Sequence, residues 1–482
     1  ISADSYSGDI TIGSNGAITV NGYSVAGIAA SAGYYSEYGG SIGNVSVTTG
    51  STSNINANGD YAAGIYLYAT GNVSVSNGGA ILANSSGEYG SAVGIYINAY
   101  GTATVTNSGS IKATGSDPWA ISSYAEATQI TNATTGKIFG AIETSDGDDT
   151  FTNNGSWYAL DDNTSSFGDG DDAVVNSATG KIFMEGSSID MGYSEYGINS
   201  FLNNGKLYAK GSGNTINMGG NGSVFTNNGA SIHMEDGDTN DSLTITGNFA
   251  GTGHVVVDAN GTTMLADRLY IVGNVLAGTA NVVDVNMAQG PSVTNLLAGN
   301  VINIVNVTGT SAVGNFTAGA INIAQDELYT VQGGIVKNAG NFGLGFAVTG
   351  LSANGVLASS VSPAVQNLWN QGTGTLFQRE GSHHPDEGAT PDYKAGVWAR
   401  YYGASGSVSP DADRSNFGAG GSNNFDQDGS GWEIGVSYAF TNQWAAGLLG
   451  GGSESTIDPD AGGRAEVDGS TFGGYVTWTP GN

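Results

Sequence analysis

The sequence predicts an all-β chain: a right-handed parallel β-helix solenoid, a short linker helix, and a partial antiparallel β-barrel. Three observations carry that reading. Ala62 to Asn77 reads AAGIYLYATGNVSVSN and Ala92 to Asn107 reads AVGIYINAYGTATVTN, so eight of sixteen positions repeat at an offset of 30 residues. Asparagine then keeps returning at the end of a short alternating segment. The final ninety or so residues alternate on a longer scale, with large apolar side chains against small or charged ones.

A short alternating segment has one apolar face and cannot bury it alone, whereas stacked copies share a continuous core. The closing asparagines are Asn77, Asn107, Asn132, Asn153, Asn176, Asn203 and Asn227, at steps of 30, 25, 21, 23, 27 and 24 residues. A second strand follows each, as in GKIFGAI, GSWYAL, GKIFMEG, GKLYAKG and ASIHMED. Two or more strands per coil of about 25 residues fit a parallel β-helix. About a dozen coils at ~4.8 Å give a rod about 60 Å long. Asparagine suits a coil corner because it tolerates the left-handed backbone and bonds its own chain locally.

The repetitive β-helix spans residues 1–240. From Asp241 to about residue 355 the chain is more aliphatic and poorer in asparagine corners, as in DSLTITGNFAGTGHVVVDANGTTMLADRLYIVGN, which reads as the better packed end of the same solenoid. A last coil needs such a cap because it otherwise exposes strand edges and core. Residues 356–392 form a linker: Ser362 and Pro363 resemble an N-cap and first helical residue, AVQNLW continues as a short helix, and REGSHHPDEGATPD lacks periodicity.

Residues 393–482 differ. In GWEIGVSYAF, Trp432, Ile434, Val436, Tyr438 and Phe440 alternate with Glu433, Gly435, Ser437 and Ala439. Comparable strands are GVWARYYGASGSV, WAAGLLGGGSES and STFGGYVTWT, joined by a long polar loop, a tight turn from Thr441 to Gln443 and a medium loop. Apolar residues outside, aromatics at strand ends and long loops alternating with short turns mark an outer-membrane β-barrel.

An Asn- and Gly-rich β-helix, a cap with LTITGNF and ADRLYIVGN, a helical linker and VWARYYG opening a barrel together resemble the autotransporters of Gram-negative bacteria. The resemblance implies a passenger exported with the help of its own barrel and displayed at the cell surface. It also implies outer-membrane lipid and the barrel-assembly machinery as partners, and an autochaperone role for residues 241–355. Barrels of this family have about a dozen strands, and four open strands are not tolerated by lipid. Two readings follow: the chain is a fragment, or several chains each donate four strands. Trimeric autotransporters do the latter after coiled coils, and no heptads precede Ala395.

Composition narrows function. The chain has 482 residues, 80 glycines, 8 prolines, no cysteine and only 11% charged residues, unlike a typical enzyme. With 42 acidic and 12 basic residues its formal charge is −30, which repels phosphate backbones, so nucleic acid is not an expected partner. Lack of cysteine removes disulfides and thiolate chemistry and suits a chain crossing an oxidising compartment unfolded. No apolar run approaches the ~20 residues of a membrane helix. The start, ISADSYSGDI, has no signal-peptide pattern, so an exported chain would have had its signal removed.

Neither G-D-S-G nor an N-terminal lipase motif occurs, and none of His233, His254, His383 and His384 lies in a pattern that points to a triad. His233 reads as a wall residue and the His383/His384 pair as exposed linker, so no enzyme is expected. Two surface features stand out. Asp146, Asp148 and Asp149 recur 23 residues on as Asp169, Asp171 and Asp172, which stacks six carboxylates at one corner. That corner either binds calcium, since GDGDDAVV approaches a calcium-binding nonapeptide with Phe167 replacing its first glycine, or is solvated. Tyr34, Tyr35 and Tyr38 in GYYSEYGG interrupt the repeat and so project as a candidate ligand surface, while Tyr66, Tyr68, Tyr96 and Tyr100 either bind glycans and proteins or stack to stabilise the solenoid. The expected role is adhesion or cell-surface structure; the alternatives are a self-assembling extracellular filament or layer and, behind it, a passenger enzyme.

Overall fold

The structure is a computed structural model that describes residues 1–34, 40–87, 90–115, 117–160, 164–192, 197–220, 222–323, 328–380, 395–409, 424–441 and 443–478. It divides into two units: residues 1–324 with 333–346, and residues 325–332 with 347–482.

The first unit is the parallel β-solenoid. Each full turn contributes one strand to each of three sheets, in sequence order, as with Tyr61–Ala69, Val73–Asn77 and Ala80–Ser85. Ten turns carry all three strands, and two more, with Arg268–Val272 and Ile302–Val307, lack a strand in the second sheet. Twelve rungs at ~4.8 Å make about 50 Å of solenoid. Turn length varies through the loops while register does not, so like stacks on like: Ile55 opposes Ile81, and Ile81 opposes Ile111. The interior column of the second sheet runs Val75, Val105, Ile130, Phe151, Val174, Phe201, Phe225 and Phe249. Every one of these side chains is buried. The two Phe pairs at the end stack at 5.0 and 5.7 Å.

The corner asparagines bond their own chain locally, as expected, with Asn77 donating to the Gly79 carbonyl and accepting its amide, but they do not use the left-handed backbone and they have a second job. None has a positive φ, since Met264 and Ala339 are the only described non-glycine residues that do. Their side chains point inward, and each amide nitrogen donates to the amide oxygen one turn on, at 2.8–3.0 Å from Asn77 to Asn227. Thr49 begins this column by donating to Asn77, and Asn281 ends it by accepting from Asn227. An amide carries donor and acceptor on one group, so a stack of asparagines satisfies itself inside an apolar core.

The solenoid closes by reversing chain direction. Asn341–Leu351 pairs antiparallel with Ile302–Val307 and brings Phe342 and Leu344 over the end of the core. Within this end Asp267, fully buried, accepts the backbone amides of Asp241 and Asp258.

The second unit contains a helix and an antiparallel sheet of four strands, Ala395–Val408, Phe425–Ala439, Trp444–Pro459 and Ala465–Trp478. The strands lie where alternation put them. The helix does not: it runs Ala353–Glu380, and Pro363 sits inside it rather than at its start. A proline in a helix costs a backbone bond. Here side chains of the sheet hold the helix through the position where local propensity would stop it. No helix among the described residues is long and apolar enough to cross a membrane.

Candidate functional site

The sheet of the second unit has two chemically opposite faces, because successive residues point to opposite sides. On one face Val397, Tyr401, Trp432, Ile434, Val436, Tyr438, Leu448, Phe472, Val476 and Trp478 are all exposed. Paired positions align into rows: Tyr401 with Trp432 at one margin, Val397 with Val436 and Leu448 in the middle, Trp444 with Trp478 at the other. Eight residues separate Trp432 from Phe440, about 27 Å of strand at ~3.4 Å each. Beyond the Trp432 row the same face turns polar, with Asp426, Asp428, Glu454, Glu466 and Asp468 exposed. An apolar band with aromatic margins and acidic residues past one edge is a lipid-facing surface.

The opposite face is polar and carries the helix. Gln427, 2% exposed, donates to the Ala364 carbonyl and to Ser455 Oγ, both at 2.9 Å, and accepts from Asn367 Nδ2 at 2.8 Å. Arg400 donates from Nε to Glu433 Oε2 at 2.9 Å and from a terminal nitrogen to the Gly372 carbonyl at 2.7 Å. These bonds fix two successive parts of the helix. Glycine is required on this face where rings lie flat on the backbone: a Cβ at Gly435 would come 2.3 Å from Trp398, and one at Gly431 would come 2.4 Å from Tyr402. Neither Gln427 nor the Arg400–Glu433 pair was singled out from sequence. Polar residues at the inward positions of otherwise apolar strands were the available signal.

The acidic corner of the solenoid stacks as the 23-residue offset requires. Asp171 donates its backbone N–H to Asp148 Oδ1 at 3.0 Å, Asp169 to Asp146 Oδ1 at 3.4 Å, and Asp149 to Asp172 Oδ1 at 2.9 Å. Asp149 and Asp172 point inward, are buried, and each leaves Oδ2 without a hydrogen bond. Burial pushes Asp149 up to about 6 and Asp172 up to about 8, with the neighbouring carboxylates adding to it. Asn199 occupies the next rung, and its Nδ2 reaches the Met191 and Met218 carbonyls. The corner needs glycine at Gly170, where a Cβ would come 2.2 Å from the Gly147 carbonyl oxygen. One oxygen of each of Asp146, Asp148, Asp149, Asp171 and Asp172 accepts a backbone amide. Among the described residues, no group of three or more His, Cys, Asp or Glu side chains gathers to hold a metal.

Tyr34 is exposed and stacks on Tyr6 at 4.7 Å; Tyr35 and Tyr38 lie outside the described residues, as do His383 and His384. Tyr66 stacks on Tyr96 at 4.7 Å, and Tyr68 meets Tyr100 edge-on at 6.3 Å. Below Tyr66 in register stands Ala29, and below Tyr68 stands Ser31, so among the described residues neither has an aromatic partner in register on that side.

His233 lies on the outside of its strand, as a wall residue should, but not alone. Ser231 Oγ is 2.7 Å from His233 Nε2, and His233 Nδ1 is 2.7 Å from Glu235 Oε1. The S-x-H-x-E alternation places all three on one face, and this is the local pattern the sequence reading missed. The backbone amide of Ser231 is spent on the Gly205 carbonyl, and that of His254 on Ala230.

Residues 397–482 match the family model described as the autotransporter beta-domain. No curated protein matches the chain. The matched residues are those that build the sheet with the apolar band, and the parallel β-solenoid precedes them in the chain. The chain is an autotransporter: its C-terminal strands belong to an outer-membrane β-barrel, and its β-helix is the passenger exported to the cell surface.

Proposed function

We propose that the passenger acts in adhesion or in cell-surface structure, as a non-enzymatic rod that presents ligand-contacting side chains along its length. The observation that carries this reading is the set of exposed tyrosines on the N-terminal turns: Tyr6, Tyr23, Tyr34, Tyr61, Tyr66, Tyr100 and Tyr124. A tyrosine ring offers apolar area with little entropy to lose, and its hydroxyl offers a hydrogen bond, which suits contact with glycans and proteins. Assembly of the strands by the barrel-assembly machinery and an autochaperone role for residues 241–355 belong to the same proposal. At the Asp146 to Asp172 corner the two readings, a calcium site and a solvated acidic corner, are separated by calcium titration: a raised melting temperature supports calcium, and unchanged melting temperature and isothermal heats end it.

Cells displaying the protein test the reading. Replacing Tyr6, Tyr34, Tyr66 and Tyr68 by Ser should abolish attachment to host or abiotic surfaces while passenger display stays constant. Undiminished attachment would overturn it. Concentration-dependent polymers of released passenger would favour the filament or layer alternative instead.

A further inference from the structure

We propose that the outer face of the third sheet, between Lys112 and His254, is a binding site for a linear acidic polysaccharide. This goes beyond the adhesive reading and stands on residues remote in sequence from the N-terminal tyrosines.

Basic residues are scarce in this chain and are not scattered. The first 111 residues contain no Lys or Arg, and the solenoid unit holds seven: Lys112, Lys137, Lys181, Lys206, Lys210, Arg268 and Lys337. The first five all lie on the third sheet, on consecutive or near-consecutive strands from Ser110–Thr114 to Lys206–Lys210. Register aligns them. One column reads Ser110, Lys137, Ser156, Lys181, Lys206, Ser231, His254. From Lys137 to His254 is five rungs, about 24 Å at ~4.8 Å each. Lys112, Lys137, Lys181 and Lys206 are exposed, and among the described residues none of them forms an ion pair. Among the described residues the carboxylates on this face include Glu185, opposite Lys210 in register, Glu235, which is bonded to His233, and Asp284, whose Oδ2 lies 2.6 Å from His254 Nδ1 at the far end of the column.

The neighbouring column explains how the lysines are held. Phe139, Tyr158, Phe183, Tyr208 and His233 stack ring on ring at 4.5, 4.6, 4.8 and 4.9 Å. Interplanar angles of 5° to 7° through the first four rings mean that their faces cover one another. Lys112 lies over Phe139 at 5.9 Å and covers the other end. This spine is a stiff wall beside the lysine stems rather than a stacking platform for sugars. It keeps the charges in line.

Lys181 and Lys206 stand directly opposite each other. Like charges in that position destabilise a sheet, and an anion laid along the column removes the repulsion. The charge of the rest of the molecule selects the ligand. With a formal charge of −30, the chain as a whole repels a polyanion, and this sheet gathers five of the seven basic residues of the solenoid unit. Carboxylates or sulfates spaced along a flexible sugar chain can follow a single file of ammonium groups. A duplex, whose phosphates lie on two strands of a stiff rod, cannot bring them all to one file of ammonium groups and leaves the rest against a chain of net negative charge.

The test is isothermal titration of the full-length protein in nonionic detergent with polygalacturonate, at about 50 mM and about 150 mM salt. Neutral dextran and duplex DNA are run in parallel. Binding of polygalacturonate that weakens with salt is expected, and the Lys181→Gln/Lys206→Gln double variant should lose about tenfold in affinity or more. Arg268→Gln, a charge loss off the stripe, should bind as the parent does. Because removal of Lys206 relieves a repulsion, the double variant should melt no lower than the parent, which separates lost binding from lost folding. No binding by the parent, equal binding by the double variant, equal uptake of dextran, or a preference for DNA would each overturn the proposal. The Tyr66→Ser/Tyr68→Ser variant should keep polygalacturonate binding; its loss there would move the site away from the lysines. Failure of the adhesion assay alone leaves this result standing.

Discussion

Asn107 Nδ2 donates to Asn132 Oδ1 at 2.9 Å, with both side chains wholly buried. Asn132 passes the arrangement on to Asn153 at 2.8 Å and also donates to the Gly136 and Ser156 carbonyls, both at 3.2 Å. Each rung therefore satisfies its neighbours, and removal of one leaves unpaired polar groups on both sides in a buried, largely apolar core.

Asn132→Ala is expected to destabilise the solenoid by about 2–4 kcal/mol, since the cost includes stranded donors and acceptors as well as the lost bonds. Urea unfolding followed by circular dichroism checks this. A loss below about 0.5 kcal/mol, the scale of an ordinary surface substitution, would mean that water replaces the amide.

Asp172 gives a pH dependence with a definite sign. Its folded value of about 8 lies above the ordinary 3.8, chiefly through burial, so folding favours the protonated acid. Stability from this group is complete below about pH 4 and is lost as the pH rises towards 8. Asp149, at about 6, acts the same way over the lower part of that window. Asp172→Asn keeps an acceptor for the Asp149 amide, and Asn199 shows that an amide nitrogen at this column finds carbonyls. The variant should raise the melting temperature at pH 8 and leave it nearly unchanged at pH 4. Equal effects at both pH values would refute the assignment.

Gln427 joins three partners on the inward side of the barrel sheet: the Ala364 carbonyl, Asn367 and Ser455. Gln427→Ala should weaken the hold on the helix by about 2–3 kcal/mol. The temperature at which the folded barrel loses its heat-modifiable gel mobility should fall. An unchanged transition would show that Arg400 and Glu433 suffice.

Leu448 lies in the middle row of the apolar band, between Val436 and Gly474. Leu448→Arg should cost about 2–4 kcal/mol if this row sits near the bilayer midplane. Outer-membrane fractions should contain much less of this variant than of Leu448→Ala. Arg at exposed Asp428, past the aromatic margin, should be tolerated.

The solenoid and the barrel strands were legible in the chain alone, because in both the period of the side chains states which face is buried. The 30-residue echo of AAGIYLYATGNVSVSN, and the odd–even contrast of GWEIGVSYAF, each survive intact in the register. What tertiary structure alone decided are relations between turns that no local pattern states. The asparagines were legible as markers but not as a buried ladder, since bonding from turn to turn depends on register across 21 to 30 residues. The helix runs on through Pro363, and Gln427, more than sixty residues away in sequence, bonds the Ala364 carbonyl beside it. Likewise Lys137, Lys181 and Lys206 are ordinary charges in the sequence and become a column only when unequal loops are absorbed at the corners. Stacking converts distance along the chain into one rung of height, and that conversion fixes which charges, rings and amides meet.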